Sequence, residues 1–265
     1  MTKLRFTILG CGSSGGVPRI GGHWGDCDPN NPKNRRRRCS LLVEKIGSEG
    51  TTSVLVDTSP DLRNQLLDAN VTRLDGVIYT HYHADHIHGI DDLRMVVFNM
   101  KARINVWADE KTKDNLFDRF GYAFIQPKNS PYPPILIMNK LDGSFVIDGP
   151  GGELRIMPFK AIHGSIDSLG FRIEDVAYLP DVSDLYQETR KSLEKLNYFI
   201  VDALRRTPHP SHTHLENTLK WIDELKPSNS IITNMHIDMD YETLHTELPN
   251  NIVPAYDGMK IEIEY

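Results

Sequence analysis

The stretch THYHADHIHG, residues 80–89, constrains this chain more than any other, because it sets four histidines and an aspartate within positions 81–88. It follows GVIYT (76–80), a β-branched apolar run that reads as a strand. Residues two apart in extended chain share a face, so His81 and His83 can offer two nitrogens to one ion. Asp85 and His86 follow where a helix begins, and can offer a carboxylate and an imidazole to a second. Zinc and similar borderline metals accept this mixture of donors. His88 lies two residues past His86, roughly 200° around a helix from it. It is expected behind the ligands or at the surface.

Strand-like runs recur at 4–9, 39–46, 53–57, 104–108, 154–159, 176–181, 198–203 and 230–236. Helical patterns lie between several of them. Ser59 and Pro60 predict an N-cap and a first helical position, opening PDLRNQLLDA. A second helix is expected over 213–226, with Leu215, Leu219, Ile222 and Leu225 on one face and Thr213 and Glu216 as a capping box. Strands interleaved with helices imply a layered α/β fold with helices outside. With no repeat and no long linker, one domain over 1–265 is expected. Several runs end in aspartate or histidine: Asp57, His81, His163, Asp181, Asp202 and His236. A sheet edge needs polar residues of any kind, so this repeated choice of metal-ligand chemistry predicts one site beyond the strands' carboxyl ends.

A net charge of −6 argues against a protein that coats nucleic acid, and three cysteines are too few for a disulfide framework. The N-terminal run is too short for a signal peptide, and no stretch approaches the ~20 apolar residues of a membrane span. A soluble cytoplasmic protein with no membrane partner is expected. GCGSSG (10–15) fits a dinucleotide fingerprint, but the proline and glycines of GVPRIGG cannot supply the helix it needs. Its glycines could still let the backbone approach a phosphate. Arg35–Arg38 are read mainly as a solvated charge run, and the proline-rich 126–134 as a rigid surface loop.

H-x-H-x-D-H after a strand resembles the signature of the metallo-β-lactamase superfamily, and His163, Asp181 and His236 follow in that family's order. The resemblance implies a four-layer αββα sandwich and two divalent ions, zinc or manganese, with iron also compatible. It places His81, His83 and His163 on one ion, Asp85, His86 and His236 on the other, and Asp181 between them. Asp57 would support the site without ligating. A water bridging ions ~4 Å apart would ionise near pH ~7 and attack an ester. GCGSSGGVP, RRRRCS, SHTHLENTL and AYDGMKIEI further resemble the phosphoribosyl 1,2-cyclic phosphate phosphodiesterases of phosphonate breakdown. This implies hydrolysis of small cyclic or nucleotide-like phosphodiesters, with Asp85 and His212 as catalytic residues and His212 acting near the leaving group. It also points to a homodimer, with no stable nucleic-acid complex. A tRNA 3′-processing endonuclease or a thioesterase of the same fold remain alternatives. The phosphodiesterases' structural zinc needs clustered cysteines and a histidine three residues after His236. Here only Cys27 and Met239 stand in those places, so no such zinc is expected, a makeshift site from His23, Asp26, Cys27 and Asp28 being the one remaining option.

Overall fold

Short β-branched runs separated by turns and brief helices give the strands β1 (Lys3–Gly10), β2 (Ser40–Ile46), β3 (Thr51–Val56), β4 (Gly76–Ile78), β5 (Ile104–Ala108), β6 (Leu136–Lys140), β7 (Phe145–Ile147), β8 (Leu154–His163), β9 (Ile166–Ile173), β10 (Val176–Leu179), β11 (Tyr198–Asp202), β12 (Asn229–Thr233), β13 (Ile252–Pro254) and β14 (Met259–Glu264). The helices are α1 (Leu62–Asp68), α2 (Ala84–Ile87), α3 (Leu93–Met100), α4 (Glu110–Phe120), α5 (Gln187–Ser192), α6 (Leu215–Leu225) and α7 (Tyr241–Glu247). The structure is a computed structural model that describes residues 2–264. The strands form two mixed seven-stranded sheets, ordered β14-β1-β2-β3-β4-β5-β6 and β13-β12-β11-β10-β9-β8-β7. The chain divides into two units, one from residues 2–9, 40–155 and 260–264, the other from 10–39 and 156–259.

In the first unit β2 and β3 form an antiparallel hairpin, and β3 to β6 run parallel. Val56 pairs with Ile78, so the segments after β3 and β4, carrying Asp57 and His81, leave one edge side by side. The core beneath them is continuous: Leu55, Val77 and Val106 from the strands, Leu62 and Leu66 from α1, and Leu93 and Val96 from α3. In the second unit β8, β9 and β10 are antiparallel and β10 to β13 parallel. Leu179 pairs with Val201, and Val201 with Ile232, so Asp181, Asp202 and Asn234 follow neighbouring strand ends. Each unit therefore repeats one device, in which parallel strands deliver polar residues to a common edge.

The first predicted helix begins later than its sequence signal. Asp61 is the residue before α1 and makes no side-chain cap, while the Ser59 hydroxyl accepts from the Asp61 amide and donates to Gln65. The capping box at Thr213 is also absent. His214 occupies the N-cap, and the Thr213 hydroxyl instead accepts from Asn217 and Thr218. Strands β6, β7, β9, β13 and β14 escape the apolar-run criterion. In β9, Asp167, Ser168 and Gly170 break the pattern, yet Gly170 is required because a Cβ there would lie 2.3 Å from the Phe159 ring. The arginine run is not a solvated face either. Arg35 is exposed over Trp24, but Arg36 is 2% exposed and donates to the carbonyls of His236 and Met239 and to Asn34 Oδ1. Arg37 pairs with Asp257 at 3.0 Å. Two of the four thus serve the fold of their own unit. Among the described residues no helix is long and apolar enough to cross a membrane.

Candidate metal centre

The first unit gathers its donors in one loop. His81 is buried after β4, His83 is the residue before α2, and Asp85 and His86 lie in the first turn of α2. The rings of His81 and His83 are 4.6 Å apart edge to face, those of His81 and His86 4.3 Å. Asp57 sits behind them with no exposed surface and φ +62, a left-handed conformation that aspartate tolerates better than most residues. Its Oδ1 accepts from the Thr80 amide at 2.8 Å, and its Oδ2 from the Thr80 hydroxyl at 2.8 Å and from His86 Nδ1 at 2.7 Å. Burial pushes the Asp57 carboxyl upward, opposed by His86 and Thr80. The Thr80 hydroxyl, already donating to Asp57, accepts from His81 Nδ1 at 2.9 Å. His88 is exposed beside Phe120, apart from the other three rings.

The second unit supplies a matching group. His163 ends β8, Asp181 follows β10, and with His212 they hold donor atoms within 4.8 Å of one another. His163 donates from Nδ1 to the Ser211 carbonyl at 2.6 Å, leaving Nε2 3.8 Å from Asp181 Oδ1. His212 precedes α6 by three residues and is turned inward rather than away from the helix end, with 15% of its side chain exposed. Its ring lies edge-on to His163 at 4.6 Å. His212 donates from Nδ1 to Asp202 Oδ2 at 2.8 Å. Asp202 has no exposed surface, and burial raises its carboxyl above the ordinary range against the pull of His212. His236 is half-buried and donates from Nδ1 to Asp238 at 3.0 Å, while its Nε2 meets the Arg19 guanidinium.

One chemical habit runs through both groups. In His81, His86, His163 and His236 the Nδ1 proton is committed to an oxygen, so Nε2 keeps its lone pair. Oxygen-anchored imidazoles of this kind are how proteins orient metal-ligating histidines. Neutral imidazole nitrogens together with carboxylates are donors that several divalent ions accept, so the residues present fit divalent ions. Asp202 and Asn234 had no assigned part in the sequence reading. Asp202 stood among the strand-end acids, and its position was the available signal. Asn234 (φ +59) donates to the Pro180 carbonyl at 2.9 Å and lies 3.4 Å from Asp181 Oδ1, and only its closeness to His236 in sequence could have marked it.

This strand-end geometry is accompanied by a family match. Residues 52–237 match the model of the β-lactamase superfamily domain. The chain belongs to that family. A solved structure described as a new diphosphatase from the PhnP family is 34% identical, with TM-score 0.86, covering 99% of this chain and 98% of that one. The metallo-β-lactamase fold expected from the sequence is therefore the fold found, and within it the chain is of the PhnP type. An octanoyltransferase of Porphyromonas gingivalis is 30% identical over 263 residues, 98% of this chain and 52% of that protein. A ribonuclease Z of Metallosphaera sedula is 27% identical over 143 residues, 53% of this chain and 41% of that protein. The chain thus spans about half the length of the curated relatives it matches.

Proposed function

We propose that this chain is a metal-dependent phosphodiesterase acting on small cyclic or nucleotide-like phosphate esters. On the family's pattern His81, His83, Asp85, His86, His163, Asp181 and His236 hold two divalent ions, zinc or manganese. When bound, such ions supply a water acidic enough to attack at neutral pH and positive charge for the phosphoryl oxygens. The chain's own residues do the rest. Asp57 fixes the His86 ring, and through Thr80 the His81 ring, so that both nitrogens are set before substrate arrives. Asp85 accepts a hydrogen bond from the attacking water. His212 carries the proton for the departing oxygen on Nε2, and Asp202 holds that ring from behind through Nδ1.

The His212–Asp202 pair carries this reading. An alkoxide leaving group such as a ribose oxygen needs a proton, whereas a thiolate leaves without one, so an oriented proton donor favours an oxygen ester over a thioester. The diphosphatase relative supports phosphate chemistry, and ribonuclease Z keeps nucleotide-like substrates within range. No arm for gripping a tRNA stands between Asp181 and His212, where the chain forms only α5 and β11. A small-molecule substrate and a cytoplasmic homodimer without stable nucleic-acid or membrane partners belong to the same proposal. The test is metal analysis followed by a panel of a ribose cyclic phosphate, 2′,3′-cyclic nucleotides, precursor tRNA and a thioester. Turnover of the cyclic phosphates with bound metal is expected. Turnover of the thioester alone would overturn the reading.

A further inference from the structure

His209 stands three residues before His212 in the segment TPHPSHTH, and neither donor group includes it. Pro208 and Pro210 flank it, so φ is fixed on both sides, and the proline that follows biases His209 to extended backbone. The segment is tied down at both ends. Arg205 donates to the carbonyls of Thr207 and Pro208, and the Ser211 carbonyl accepts from His163 Nδ1 at 2.6 Å. A half-buried ring on so constrained a loop is in place before any ligand arrives.

The hydrogen bonding of this ring is the reverse of its neighbours'. The Ser211 amide meets His209 Nδ1 at 3.3 Å, and a backbone N–H can only donate, so Nδ1 is the acceptor and the ring proton sits on Nε2. The Ser211 hydroxyl reaches the same nitrogen at 3.3 Å. His163, His212 and His236 instead commit an Nδ1 proton to oxygen. With Nδ1 engaged, His209 presents an N–H where they present Nε2 to the site. Among the described residues no protein group accepts from that N–H. The ring lies 5.3 Å from that of His212, tilted by 56°. Burial and the charges of His212, Arg205 and His236 press its protonation downward, which keeps it a neutral donor.

The structure assigns His209 a part in substrate choice: its Nε2–H donates to an oxygen of the leaving alcohol other than those bonded to phosphorus, beside the departing oxygen that His212 serves. Two N–H donors on rings this close suit two oxygens of one small polyol. A simple alcohol offers nothing to the second donor. The substrate class is therefore a phosphate ester whose leaving group is a sugar or a similar polyol. This assignment rests on the phosphodiesterase reading and narrows its leaving group.

Two five-membered cyclic phosphodiesters test it on metal-loaded protein: ribose 1,2-cyclic phosphate, and ethylene phosphate, whose leaving alcohol has no oxygen beyond the two ester oxygens. His209→Phe keeps a ring and removes the donor. It should lower kcat/KM for the ribose ester about fivefold to tenfold, the usual worth of one hydrogen bond. The loss should fall chiefly on KM, because the contact is to a non-reacting oxygen. Ethylene phosphate should change by less than about twofold. His209→Gln, whose amide carries an N–H to a similar reach, should recover most of the loss, which a merely structural role would not show. His209→Ala carries the same expectation as His209→Phe should the larger ring not fold. Equal losses on both esters, a loss confined to kcat, or no loss on the ribose ester would overturn the assignment. Calorimetric titration with the ring-opened products, ribose 1-phosphate and 2-hydroxyethyl phosphate, reads the contact without turnover. Wild type should prefer ribose 1-phosphate and His209→Phe should lose that preference; no preference in wild type would also overturn the assignment. Wild type that hydrolyses neither cyclic ester yet keeps the preference counts against the phosphodiesterase and not against the contact. Hydrolysis of both esters with no dependence on His209 counts against the contact alone.

Discussion

An imidazole is a dependable donor only when one nitrogen is already committed, and this chain commits Nδ1 five times over, to Thr80, Asp57, Ser211, Asp238 and Asp202. The histidines themselves were legible in the sequence, because strand-end position and family order mark them. Their partners were not. Asp202 reaches His212 only because β10, β11 and β12 pair in register and the segment before α6 folds back, and no local pattern reports either. The pairing has a kinetic consequence. Asp202→Asn keeps the shape but removes the charge that selects the Nδ1–H tautomer of His212. Hydrolysis of esters with alkyl leaving groups should slow by about 10²–10³-fold, within the range of general-acid catalysis. Nitrophenyl esters, whose leaving groups need no proton, should slow by under about tenfold, and metal content should be unchanged. Equal slowing of both ester classes would remove the proton-donor role of His212.

At the scale of elements, the loop after β4 shows how tightly the site is built into its unit. The Thr58 amide donates to the His86 carbonyl at 2.8 Å, and the Gly89 amide to the Thr58 carbonyl at 2.9 Å, lacing α2 to the segment after β3. Gly89 passes so close that a Cβ would lie 2.0 Å from the Ser59 carbonyl oxygen and 2.8 Å from Leu62 Cβ. Backbone cannot yield as a side-chain tip can. Gly89→Ala should therefore destabilise by about 3 kcal/mol or more and displace α2 with His86. Gly121, with φ −51 and nothing within 4 Å of its Cβ position, is the matched control, and Gly121→Ala should be neutral or slightly stabilising. Thermal melts of the two variants check this; equal melting temperatures would show that the close approach at Gly89 relaxes freely. The existence of most strands could be read from apolar runs. Helix starts could not: the Ser59 hydroxyl does accept from the Asp61 amide, yet α1 begins only at Leu62, and Thr213 spends its hydroxyl on Asn217 and Thr218 rather than on a first-turn amide.

For the whole molecule, the question is what two divalent ions would add to a chain that buries so many ionisable groups at its strand ends. Asp57, His81, His86, His163, Asp181 and Asp202 are all 2% exposed or less. Buried carboxylates and oriented imidazoles cost desolvation whether or not a cation is present, so a cation bound only by the folded chain recovers part of that cost. By mass action, each ion present at about 1,000 times its dissociation constant should stabilise the fold by about 4 kcal/mol. For a chain near this size, each kcal/mol moves the melting temperature by about 2–4 °C. Stripping the metal should thus lower the melting temperature by about 8–16 °C for each ion so bound, and zinc or manganese should restore it. His81→Ala should melt near the stripped wild type and respond weakly to added metal. His88→Ala, at the exposed ring beside Phe120, should keep both the metal content and the full metal-dependent shift. This comparison tests the division of the histidines without any assay of activity. A melting temperature indifferent to chelation, or an equal loss of metal in His81→Ala and His88→Ala, would refute the ligand assignment while leaving the fold untouched.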